Sequence, residues 1–163
     1  MSVLVVNRKE SRFEAISFAV DLHDMLIELM QRSFGLRAVE QFVRKRFARG
    51  AMTEDKIIYY RQLIHEAKKR IDEYASMLTS NVRAANTIYP TNMDEYYTRR
   101  GYQNAAIINC EQIIKELQHI VDVFEVDINM YDRYIQAIDR EIGLIKHWRQ
   151  RDNQIKSRLP GSA

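Results

Sequence analysis

Apolar residues recur along this chain in steps of three and four, the spacing that lines one face of an α-helix. In the first such stretch the stripe is Phe13, Ile16, Val20, Ile27, Met30 and Phe34, with Leu22, Leu26 and Leu29 forming a second stripe beside it. Ser11 and Glu14 have the spacing of a capping box at its start, and Gly35 is placed to end it. A second stretch, from about residue 54 to 88, carries Ile57, Tyr60, Ile64, Ala67, Ile71, Tyr74, Leu78, Ala85 and Ile88 in near-heptad rhythm. Thr53 with Glu54 and Asp55 starts it, because acids in a first turn oppose the helix dipole, and Pro90 stops it. Thr91 and Asp94 open a third helix striped by Ile107, Cys110, Ile114, Leu117, Val121 and Phe124. A fourth runs from about Met130 past Trp148, with Tyr134, Ile135, Ile138, Ile142, Ile145 and Trp148 inward, and the short link "EVDIN" makes it an antiparallel neighbour.

Two pieces fall outside these four helices. Residues 2–7, "SVLVVN", form a β-branched run without a partner strand and predict an extended N-terminal arm. Residues 36–49 place Val39, Phe42 and Val43 on one side and basic residues on the other, predicting a short extra basic helix that ends at Gly50. The pattern therefore predicts an all-α fold, an up-and-down antiparallel four-helix bundle. Its parts are an N-terminal arm (1–10), the bundle (11–155) and a flexible tail (156–163).

Composition narrows the class further. The chain has 163 residues, 46% of them hydrophobic and 29% charged, enough for one domain with a real core. Five glycines and two prolines are too few for the turns of a many-stranded β-fold. No apolar run approaches the roughly 20 residues of a membrane span, and "MSVLVV" lacks the basic start and small-residue cleavage site of a signal peptide. Cys110 is the lone cysteine, so neither an intrachain disulfide nor a cysteine-based zinc site can form. These features point to a cytoplasmic protein.

Catalytic patterns are sparse. A di-iron bundle needs Glu-x-x-His from each of two helices. Glu116 and His119 give one such pair, while His23, His65 and His147 lack the glutamate. His23 lies between Val20 and Ile27 and reads as a hydrogen-bonded core histidine, and Cys110 as an inert buried thiol. There is no phosphate-cradling glycine loop and no serine-nucleophile signature. The chain is expected to be non-enzymatic and to need neither metal nor cofactor.

Charge changes the picture. The net charge is only +3, but it is gathered in patches. "FVRKRFARG" and its flank carry Arg37, Arg44, Lys45, Arg46 and Arg49 against Glu40 alone. "EYYTRRGYQN" interleaves Arg99 and Arg100 with Tyr96, Tyr97 and Tyr102, and "KHWRQRDNQIKSR" sets Lys146, Arg149 and Arg151 around Trp148. Arginine neutralises phosphates and tyrosine stacks on unpaired bases, so the pattern suits a single-stranded nucleic acid. An assembly bundle whose basic faces merely solvate it, or dock an acidic protein, is the alternative.

The opening "MSVLVVNRKES", then "RAANTIYPTN", "YYTRRGYQNAAIINCEQII" and "IDREIGLIKHWRQRDN", resemble the Avd family, the accessory variability determinants of diversity-generating retroelements. That family is in turn similar to proteins encoded in ribosomal-RNA intervening sequences. The resemblance implies a non-enzymatic, barrel-shaped homopentamer. It would bind the retroelement's reverse transcriptase and template RNA or cDNA, supporting mutagenic reverse transcription and retrohoming. The matching basic positions are Arg99, Arg100, Lys146, Arg149 and Arg151, whereas segment 36–50 matches no motif of the family. Leu22, Leu26 and Leu29 beside the main stripe add surface suited to packing between subunits.

Overall fold

The computed structural model describes residues 3–35 and 54–161, with side chains for 14–34 and 54–161. Among the described residues there are four α-helices and no strand: α1 (Val3–Gln31), α2 (Glu54–Thr87), α3 (Met93–Phe124) and α4 (Asp132–Lys156). The expected basic helix over 36–50, with Thr53 and the side chain of Phe13, lies outside the described residues.

α1 begins at Val3, so residues 3–7 are helical rather than an extended arm and Ser11 lies within the helix rather than at its start. The valines disfavour helix by only a few tenths of a kcal/mol each. No glycine or proline interrupts residues 3–31, and a helix already nucleated propagates through such a run. The buried face of α1 also differs from the predicted one. Ala15, Ala19, Leu22, Leu26 and Leu29 point inward with Met30 and Phe34, while Val20 is 36% exposed. The two alanines continue the leucine stripe, and their small side chains let a neighbouring helix approach.

After α1 the chain reverses through left-handed backbone at Ser33 (φ 48°) and Phe34 (φ 58°), ahead of Gly35. Such a conformation in a bulky residue costs about 1–3 kcal/mol. Two interactions hold it: the Phe34 ring is fully buried, and the Tyr131 hydroxyl donates to the Phe34 carbonyl at 2.9 Å. Burial pushes the Tyr131 hydroxyl up to about 12. Tyr131→Phe leaves that carbonyl unpaired and is expected to cost about 1–3 kcal/mol. The loss would be read as a lower urea midpoint at unchanged slope.

The other boundaries follow local chemistry. The cap of α3 is Asn92 rather than Thr91: its side chain accepts from the Glu95 N–H at 2.9 Å. Glu95 reaches back to the Thr91 N–H and hydroxyl, which hold its carboxyl below the usual range. Glu125 closes α3 in a left-handed conformation, and a 3-10 turn at Ile128–Tyr131 leads into α4. The tail is partly packed, since Leu159 is buried just beyond α4.

α2 packs on α1 and α3, and α4 packs on α1 and α3. Cross-helix pairs fix the directions. His23–Asp72 joins α1 to α2, Ser33–Lys68 joins the turn after α1 to α2, and Arg70–Glu116 and Asn81–Asn109 join α2 to α3. Tyr96–Asn153 and Arg100–Arg149 join α3 to α4, Glu14–Arg140 joins α1 to α4, and Phe34–Tyr131 joins the turn after α1 to the turn before α4. In each of these four seams the residue numbers rise on one side as they fall on the other. Among the described residues no helix is long and apolar enough to cross a membrane.

Candidate nucleic-acid interface

The basic residues expected on one surface have three different fates. Arg37, Arg44, Lys45, Arg46 and Arg49 lie outside the described residues. Arg99, from "YYTRRGYQN", is 3% exposed. Its Nη2 donates to Asp152 Oδ1 at 2.8 Å, its Nε lies 2.8 Å from Asp152 Oδ2, and its Nη1 donates to the Ile88 carbonyl at 3.0 Å. Gln103 donates to Asp152 Oδ2 at 2.8 Å, and the guanidinium sits 5.1 Å above the Trp148 ring. Arg99 thus ties α3 to α4 and to the turn after α2. It is a core residue and is withdrawn from the phosphate-binding set, because its charge is already neutralised out of reach of solvent.

Arg100 and Arg149 meet at the α3–α4 seam. Arg100 Nη1 donates to the Arg149 carbonyl at 3.0 Å and to Asn153 Oδ1 at 3.2 Å. Tyr96 donates its hydroxyl to the same Asn153 oxygen at 2.9 Å. Burial, and then the like charge of Arg100, push Arg149 below its ordinary range. Arg149 Nε is buried without a hydrogen-bond partner among the described residues. Lys146, Arg149, Asn153 and Lys156 follow one another at helical spacing along α4, with Lys146 exposed. Lys156 Nζ stands 5.9 Å from the centre of the Tyr97 ring, and Tyr97 is 56% exposed. Among the described residues none of Arg100, Lys146, Arg149 and Lys156 is paired with a carboxylate. The seam between α3 and α4 therefore offers clustered cations beside a flat aromatic face.

Arg151 lies elsewhere. It joins Arg99, Trp148, Asp152, Ile155 and Arg158 around a cavity of about 220 Å³ on another side of α4. It is half-buried and already engaged within the fold, so it does not extend the Arg100–Arg149 cluster.

The remaining candidates have local explanations. Glu116 pairs with Arg70 at 2.9 Å and His119 is exposed. No group of three metal-ligating side chains occurs among the described residues. His23 Nε2 lies 3.0 Å from Asp72 Oδ1 at the α1–α2 seam. Cys110 is fully buried, and burial raises its thiol far above the reactive range.

Sequence reasoning missed Glu141, which is fully buried with neither carboxylate oxygen hydrogen-bonded among the described residues. Burial pushes its carboxyl up to about 8, with the Arg140 charge opposing and the Glu14 charge adding to the rise. The signal was its register, three residues after Ile138 and four before Ile145 on the inward stripe.

No protein-family model, no curated protein and no solved structure matches this chain.

Proposed function

We propose that this chain is a non-enzymatic accessory protein of the Avd type. It would bind single-stranded nucleic acid and a reverse transcriptase in the cytoplasm and support mutagenic reverse transcription and retrohoming. In this proposal its helices close as an up-and-down four-helix bundle. Segment 36–50 adds a basic helix with Arg37, Arg44, Lys45, Arg46 and Arg49, and several copies assemble, a pentamer by resemblance. Repetition around a ring would multiply weak phosphate contacts into avidity.

One juxtaposition supports the nucleic-acid part. Arg100 and Arg149, 49 residues apart in sequence, sit at one seam with Lys146, Lys156 and the exposed Tyr97 ring, and among the described residues no carboxylate pairs with these cations. A cluster of cations held together against their own repulsion is a poor device for stability and a good one for a polyanion. A second reading, an assembly bundle without a nucleic-acid role, is favoured by the exposed Ile58, Met77 and Ile108 on the outer sides of α2 and α3.

Gel-shift titration with a single-stranded RNA at about 50 and 200 mM salt separates them, since contacts to phosphates weaken steeply with salt. Binding that fails at low salt, or that ignores salt, favours the assembly bundle. Reversing Arg44, Lys45 and Arg46 to glutamate is expected to lower RNA affinity and flatten its salt dependence. Unchanged binding would remove that segment from the site.

A further inference from the structure

We propose that Glu141 is a proton-operated latch at the centre of the helix packing: protonated, it lets α4 close on its neighbours; ionised, it drives the packing open. This inference is independent of nucleic-acid binding.

Among the described residues no hydrogen bond or ion pair stabilises a charged Glu141 carboxylate in the closed state. Glu141 is 0% exposed, both its oxygens lack hydrogen-bond partners among the described residues, and Ile138 and Ile145 on the same face are fully buried. The neighbouring cation Arg140 is engaged elsewhere. Arg140 Nη2 donates to Glu14 Oε1 at 2.6 Å on the outer surface, and its guanidinium lies 4.4 Å above the Phe18 ring. The other described titratable groups within electrostatic reach do not help. Glu14 on α1 adds negative charge, and Cys110 on α3 is a buried neutral thiol whose own ionisation Glu141 opposes. An unpaired carboxylate in such a place takes a proton rather than remain charged.

The sign follows from linkage. In an opened state water reaches Glu141 and its carboxyl returns to the ordinary range near 4.5; in the closed state it holds its proton up to about 8. Between those values opening releases a proton, so the open fraction is expected to rise about tenfold per pH unit and to level off above the upper one. Closure is favoured most in acid and is lost as pH rises through that window.

Cys110 provides the readout, because it is fully buried and the chain has no other cysteine. Its alkylation by iodoacetamide requires opening, and thiol ionisation alone contributes about tenfold per pH unit below its solvent value. Rates are compared between pH 6 and 7.5, at reagent concentrations where the rate is proportional to reagent, and normalised to the urea-unfolded chain at each pH. For the native protein the normalised rate is expected to climb about tenfold per pH unit, and for Glu141→Gln it is expected to be flat. Equal slopes for the two proteins would overturn the proposal. Should Glu141→Gln fail to fold, the native protein decides alone, since a normalised rate independent of pH excludes the latch.

Discussion

Asp152→Ala is expected to lower the unfolding free energy by about 3–5 kcal/mol. Domains of this size are stable by only about 5–15 kcal/mol, so the variant should be near the edge of folding at room temperature. The size of the effect comes from what remains. Without the carboxylate, Arg99 keeps its charge inside a site that is 3% exposed, and Gln103 loses the acceptor it reaches at 2.8 Å. A lost surface ion pair would cost less than about 1 kcal/mol. Urea denaturation followed through Trp148 measures the change directly, since that ring is the chain's single tryptophan and lies under Arg99. Replacing both partners by apolar residues, Arg99→Met with Asp152→Leu, should recover most of the loss, because a buried pair is often no stronger than well-packed hydrocarbon. A loss under about 1 kcal/mol for Asp152→Ala would show that Arg99 relaxes to solvent and is not the core tie described here.

Arg100→Gln with Arg149→Gln is expected to weaken single-stranded RNA binding by roughly 30-fold at low salt. That figure takes about 1 kcal/mol for each exposed charge contact and about 1.4 kcal/mol for each factor of ten. Glutamine keeps a donor on each side chain, so the hydrogen bond now made by Arg100 to Asn153 can partly persist and the α3–α4 seam should remain closed. Asp152→Ala probes the neighbouring network with the opposite profile: it removes stability without removing any exposed cation. The two variants thus separate what holds the helices together from what faces outward. Lys146→Glu, on the exposed row of α4, provides a further check that does not touch the Arg100 hydrogen bonds.

Much of the fold was legible because helix chemistry is local. The stripes of α2, α3 and α4 were read from their spacing, and Pro90 and the acids at Glu54 and Asp55 lie where their chemistry places helix ends. The errors arose where local preference competed with context. The valines near the start read as an arm, yet no breaker stops a helix from running through them. Ala15 and Ala19 were not counted as apolar, which moved the inward face of α1 by one stripe.

The site was harder to read because charge does not announce its direction. Arg99 and Arg100 are adjacent in sequence, and helical geometry turns them about 100° apart. One therefore enters the core, where Asp152 waits one turn beyond Trp148, and the other stays at the seam. Glu141 lay on a stripe that was read through Ile142 instead, since a buried carboxylate without a partner is rarely expected.

The central claim is that the cations of the α3–α4 seam hold the phosphates of a single strand. Titrating one single-stranded RNA against the native protein and against Arg100→Gln with Arg149→Gln, over a series of salt concentrations, tests it most directly. Each lost phosphate contact should lower the slope of log affinity on log salt by roughly 0.7, about 1.4 for the pair. A native slope near zero, or equal slopes for the two proteins, would contradict the account.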